Sequence, residues 1–119
     1  MSDPGMRTDE RAHASAADAF VKRALRRFDA DIESLYVFGS TAREEAEGLS
    51  SDVDVLVVLA DELEETAVAD ELRDLAYDVM LEYGPVVELH VLSKADFVES
   101  RERGNPFLET VVSEGRSYA

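Results

Sequence analysis

The stretch VDVLVVLA, residues 53–60, is apolar at odd and even positions alike, with Asp54 as its one polar residue. Successive side chains of a strand point to opposite faces. A run of this kind is therefore a core strand, largely buried, and far shorter than the roughly 20 residues that cross a bilayer as a helix. Asp52 and Asp54 stand at its mouth. Asp is a poor strand residue, and two of them two positions apart point to the same face. Held there, the carboxylates repel one another and lose hydration unless a cation sits between them. Divalent metals with oxygen ligands, Mg²⁺ first, fit such a pair. The doublet alone says little in a chain with 27 Asp and Glu. Asp29-x-Asp31 and Glu62-x-Glu64 repeat it, but in loops or helix starts, where a solvated face explains them.

The rest of the chain alternates around this strand. Ala16, Phe20, Ala24, Leu25 and Phe28 recur at three- and four-residue spacing and predict an amphipathic helix over 8–28, after a flexible segment 1–7. A first strand is expected over 32–38, closed by Gly39, then a short helix over 40–47 and the core strand over 53–59. A long helix follows over 63–83, ended by Gly84-Pro85. A third strand over 86–92 leads to a helix over 93–102, capped by Ser93 or starting just beyond it. Asn105-Pro106 opens a last helix through Glu114, with Gly115 behind it. Strands alternating with helices predict an α/β fold, a small mixed sheet with flanking helices, in a single domain over 8–119.

Composition narrows the function classes. There is no Cys, so a disulfide framework and a Cys-based zinc site are both excluded. The first 18 residues lack the apolar core of a signal peptide, and a soluble cytoplasmic protein is the default expectation. Against 27 acidic residues stand 12 Lys and Arg, a formal net charge of −15, with Lys22 and Lys94 the only lysines. Since 45% of residues are hydrophobic, this is not a disordered acidic tail. We read it as a domain adapted to high salt, where self-repulsion is screened; an ordinary acidic protein is the plainer alternative. Neither form has a basic stripe, so broad nucleic-acid binding is not expected.

Gly39-Ser40 lies between a strand and a helix, where free backbone N–H groups form an anion site; taken alone, such a dipeptide is more often just a turn. With Arg43, Ser51, Asp52 and Asp54 it forms G-S-x2-R-x7-S-D-x-D followed by an apolar run. This order resembles the signature of the DNA polymerase β-like nucleotidyltransferase superfamily, and in particular its minimal nucleotidyltransferase (MNT) antitoxins. The likeness extends through Tyr83-Gly84-Pro85, VLSKADF and NPFLETVVSEGRSY to nearly the whole chain.

The resemblance implies that Gly39 and Ser40 cradle the phosphates of a nucleoside triphosphate, ATP as substrate. It implies that Asp52 and Asp54 bind Mg²⁺, one ion on the triphosphate and a second activating an acceptor hydroxyl. Arg43 stands one turn after Ser40, near the phosphates or in a salt bridge to Glu47 or Asp52. Ser51 orders the loop before Asp52. Active family members carry a third carboxylate on the next strand; here that is Glu88, a Glu where Asp is usual, as metal ligand or base. Its plainer reading is a solvent-facing edge-strand residue. His90, two residues on and on the same face, is read as structural, and His13 carries no signal.

The implied activity is transfer of a nucleoside monophosphate, AMP from ATP, to a hydroxyl, here a tyrosine of a partner HEPN ribonuclease toxin. At this length an acceptor surface is expected from a partner rather than from a second domain. The alternative is a binding module that neutralises a HEPN protein by complex formation. A small-molecule or tRNA-end nucleotidyltransferase working as a homo-oligomer is a third possibility.

Overall fold

A computed structural model describes residues 5–38, 52–60 and 65–118, of which 5–12, 52, 65 and 66 by their backbone alone. Helix α1 (Gly5–Phe28) leads into β1 (Ile32–Phe38) and β2 (Asp52–Leu59). These are followed by α2 (Glu65–Tyr83), β3 (Val86–Ser93), α3 (Lys94–Glu102), α4 (Pro106–Glu114) and the two-residue β4 (Arg116–Ser117). The four strands form one sheet in the order β3-β2-β1-β4. β1 runs antiparallel to β2 and to β4, and β2 runs parallel to β3. A parallel pair needs a long crossover; α2 supplies it.

The core strand is buried on both faces, and each face meets its own pair of helices. Val53, Val55, Val57 and Leu59 join Leu35, Val37 and Val87 against Phe20 and Ala24 of α1 and Leu72, Ala76 and Val79 of α2. Leu56 and Val58 join Phe38 on the other face against Phe97 of α3 and Leu108 and Val111 of α4. The alternation that divides the core also decides where Asp54 goes, since it shares its side of β2 with Leu56 and Val58.

The ends of the elements are chemically specified. Ser93, almost fully buried, accepts a hydrogen bond from the Asp96 backbone N–H at 3.1 Å and so caps α3. Asn105 accepts from the N–H groups of Phe107 and Leu108, and Pro106 takes the first turn of α4, where its missing donor is harmless. Arg23–Glu82 at 2.8 Å and Arg27–Glu71 at 2.9 Å tie α1 to α2. The bond to Glu82 raises the pKa of the Arg23 guanidinium, and its charge also lies over the Tyr83 ring.

Most sequence-derived boundaries agree with these elements. α1 starts at Gly5, three residues before the expected position, because no helix breaker follows Met6 and propensity carries the helix past its first buried apolar contacts. β2 begins at Asp52 and β3 continues to Ser93, one residue beyond each expected end. β4 has no local strand pattern and forms only by pairing with Tyr36 and Val37. The expected short helix over 40–47 lies outside the described residues, as do residues 63 and 64 at the expected start of α2.

Candidate functional site

Three strands place three residues in one row: Phe38 of β1 lies opposite Asp54 of β2, and Asp54 lies opposite Glu88 of β3. His90 stands two residues along β3, opposite Leu56. Asp54, Glu88 and His90 therefore share the sheet face that carries α3 and α4. Each offers a ligating atom, a carboxylate oxygen or an imidazole nitrogen, and these atoms all lie within 4.8 Å of one another. Asp54 and His90 are half-buried and Glu88 is exposed.

Burial and packing give the site a fixed wall and an open side. Leu56 lies beneath it with no exposed surface. The His90 ring packs against Phe38 at 5.8 Å and Phe107 at 5.4 Å between centroids, and Phe38 meets Phe107 edge-on at 5.5 Å. Toward the edge, β3 pairs only with β2 among the described strands, and Val86 and Phe107 remain more than two-fifths exposed. Charge gathered by two carboxylates at this distance is relieved by a cation, and the donor set of two oxygens and one nitrogen suits a divalent one.

Of the residues singled out in the sequence, Asp54 and Glu88 are brought together. Glu88 is exposed on a strand at the sheet edge among the described strands, and it also faces Asp54. Asp52 is the first residue of β2, with its backbone opposite Val86; its side chain lies outside the described residues. Gly39, Ser40, Arg43 and Ser51 also lie outside them. His90, read as structural, does pack in an aromatic cluster, but with a ring nitrogen in reach of both carboxylates. Its spacing from Glu88 was the signal. The flanking Phe107 gave none, because it joins the site only through the fold of the last helix. His13 is buried within α1.

Comparison with known proteins sets this geometry in a family. No curated protein sequence matches the chain at a significant level. A protein from Sulfolobus solfataricus, described as a nucleotidyltransferase candidate from its 1.40 Å crystal structure, is similar in fold, with a TM-score of 0.53 and 18% sequence identity. The similarity covers 86% of this chain and 82% of that one. The family model for the nucleotidyltransferase domain matches residues 18–117, which include β1, β2, β3 and every side chain of the acidic cluster. The chain therefore belongs to the nucleotidyltransferase domain family.

Proposed function

We propose that this protein is a divalent-metal-dependent nucleotidyltransferase that moves AMP from ATP to a hydroxyl of a protein partner, a tyrosine of a HEPN-type toxin, and so acts as its antitoxin. The observation that carries the metal-dependent chemistry is the convergence of Asp54 and Glu88 from adjacent parallel strands, with ligating atoms within 4.8 Å. Asp52, two residues before Asp54, completes the carboxylate set in this reading. Gly39 and Ser40, which follow β1 in the sequence, are assigned the phosphates in this reading, with Arg43 and Ser51 assisting them.

These carboxylates are the groups that hold Mg²⁺, which when bound neutralises triphosphate charge and favours the deprotonated acceptor hydroxyl. The acceptor oxygen forms a bond to the α-phosphorus, the bond from that phosphorus to its bridging oxygen breaks, and pyrophosphate leaves. The acceptor proton passes to Glu88, whose exposure on the edge strand leaves it accessible to an incoming group. A tyrosine hydroxyl, with a pKa of about 10, needs such assistance at neutral pH. The open side of the site toward Val86 and Phe107 supports an acceptor presented by another macromolecule, because orientation of the acceptor supplies much of the rate.

The test uses ATP labelled in its α-phosphate and a cognate HEPN protein. Label is expected on the partner with the unmodified chain, strongly reduced with Glu88→Gln and absent with Asp52→Asn. Tight complex formation without transfer under any metal or salt condition would favour the binding-module reading instead.

A further inference from the structure

We propose that His90 is a nitrogen ligand of the metal centre, so that the site prefers Mn²⁺ or Co²⁺ over Mg²⁺. The inference rests on the metal-site reading above and adds a donor to it. Three observations carry it. The ligating nitrogen of His90 lies within 4.8 Å of the ligating oxygens of both Asp54 and Glu88. Donors about 2.0–2.2 Å from one ion stand about 3 Å apart when adjacent and a little over 4 Å when opposite. Three donors on one ion include at least two adjacent pairs, so closing the cluster calls for contractions of up to about 1.8 Å, taken up by the flexible Asp54 and Glu88 side chains.

The second observation is the setting of the ring. Phe38 and Phe107 pack on it at 5.8 and 5.4 Å, so the imidazole is held by packing before any ion arrives. A ligand fixed in this way loses little rotamer freedom on binding. The third observation is register. Glu88 and His90 occupy consecutive positions on one face of β3, and Asp54 stands directly opposite Glu88. The rigid strand pair therefore sets all three donors.

Ligand chemistry then gives the preference. Mg²⁺ takes oxygen ligands and parts reluctantly with its water, whereas the affinity of a nitrogen-containing site rises along the first row from Mn²⁺ to Co²⁺, so the gain from an imidazole is larger for Co²⁺ than for Mn²⁺. An Asp-Glu-His set accepts Mg²⁺ through its carboxylates alone but engages Mn²⁺ or Co²⁺ through the nitrogen as well.

The experiment titrates the full-length, nucleotide-free protein with Co²⁺, Mn²⁺ and Mg²⁺ by calorimetry. The ¹⁴N coupling in the Mn²⁺ electron-spin-echo spectrum reports the nitrogen directly, and the visible absorption of bound Co²⁺ reports the change in ligand field when it is lost. His90→Gln is expected to weaken Co²⁺ and Mn²⁺ by about tenfold or more and to abolish the ¹⁴N coupling, while leaving Mg²⁺ affinity within about twofold. Glu88→Gln is expected to weaken all three ions. Thermal unfolding checks each variant, and His90→Phe, which keeps the aromatic packing and removes the nitrogen, replaces His90→Gln if that variant does not fold. Unchanged Co²⁺ and Mn²⁺ affinity in the folded His90 variant, an equal loss for all three ions, or no binding of either transition ion to the unmodified protein would overturn the proposal. Nitrogen-dependent Co²⁺ binding without label transfer to any partner would sink the nucleotidyl-transfer reading and leave this one standing. Label transfer with metal affinity independent of His90 would do the reverse.

Discussion

Two acidic residues at Asp54 and Glu88 are arranged against their own electrostatics, which makes their removal informative in two directions. Each substitution to the amide takes charge from a candidate metal site, and each also relieves like-charge repulsion in the metal-free protein. Asp54→Asn and Glu88→Gln are therefore expected to lower affinity for Mg·ATP by calorimetry at least tenfold, while for the exposed Glu88→Gln the metal-free unfolding midpoint holds or rises. Undiminished Mg·ATP affinity in the double variant would remove the metal role. Gly115 presents the opposite case, a residue whose importance is steric. Its backbone is extended, but a Cβ there would lie 2.5 Å from the Val111 carbonyl oxygen and 3.1 Å from that of Val37. Neither carbonyl can move without disturbing α4 or β1. Gly115→Ala is expected to destabilise the fold by about 1–3 kcal/mol in urea unfolding, and an unchanged midpoint would mean that the turn into β4 yields easily.

The helix that brings Phe107 onto His90 depends on its first turn. Asn105 closes that turn through two hydrogen bonds, at 2.9 and 3.2 Å, to the N–H groups of Phe107 and Leu108. Asn105→Ala is expected to lower stability by about 0.5–2 kcal/mol and to raise amide exchange first at Phe107 and Leu108. Protection unchanged at both would show that Pro106 and the packing of Leu108 suffice to start α4. This end was legible in the sequence, because Asn-Pro before an apolar pattern and Gly after it is a local signal. The same holds for the Ser93 cap, for the core strand, and for the facing of Glu88 with His90, since period and capping act over a few residues. β4 was not legible: Arg116 and Ser117 become a strand only where β1 offers Tyr36 and Val37. Nor was the aromatic setting of His90, because Phe38, His90 and Phe107 meet through sheet register and the return of the last helix, distances no local pattern encodes. The strand register that sets Glu88 opposite Asp54 is likewise a property of the crossover, although the spacing of each residue within its own strand was already visible.

Across the whole molecule the dominant unpaired quantity is charge. A net of −15 is carried on a body with a radius of gyration of 14.6 Å. At 0.1 M salt the screening length is about 10 Å, comparable with that radius, so the excess negative charges repel one another across the fold. At 1 M it falls to about 3 Å, and only charges nearly in contact still interact. Pairs such as Arg27–Glu71, Lys22–Asp18 and Arg103–Glu99 act in the other direction, since salt weakens them. Each is exposed and contributes at most about 1 kcal/mol. Repulsion summed over the excess charge outweighs these few attractions, and the balance sets the sign of the effect. The unfolding midpoint is therefore expected to rise with KCl from low to molar concentration, most steeply where the screening length drops below the spacing of surface charges. Because screening by KCl acts on charge rather than on apolar surface, a variant with two exposed α2 acids neutralised, Asp74→Asn with Asp78→Asn, should show a shallower rise than the unmodified chain. Equal slopes would assign the gain to general exclusion of salt from the surface, and a midpoint flat across the whole range would count against adaptation to high salt.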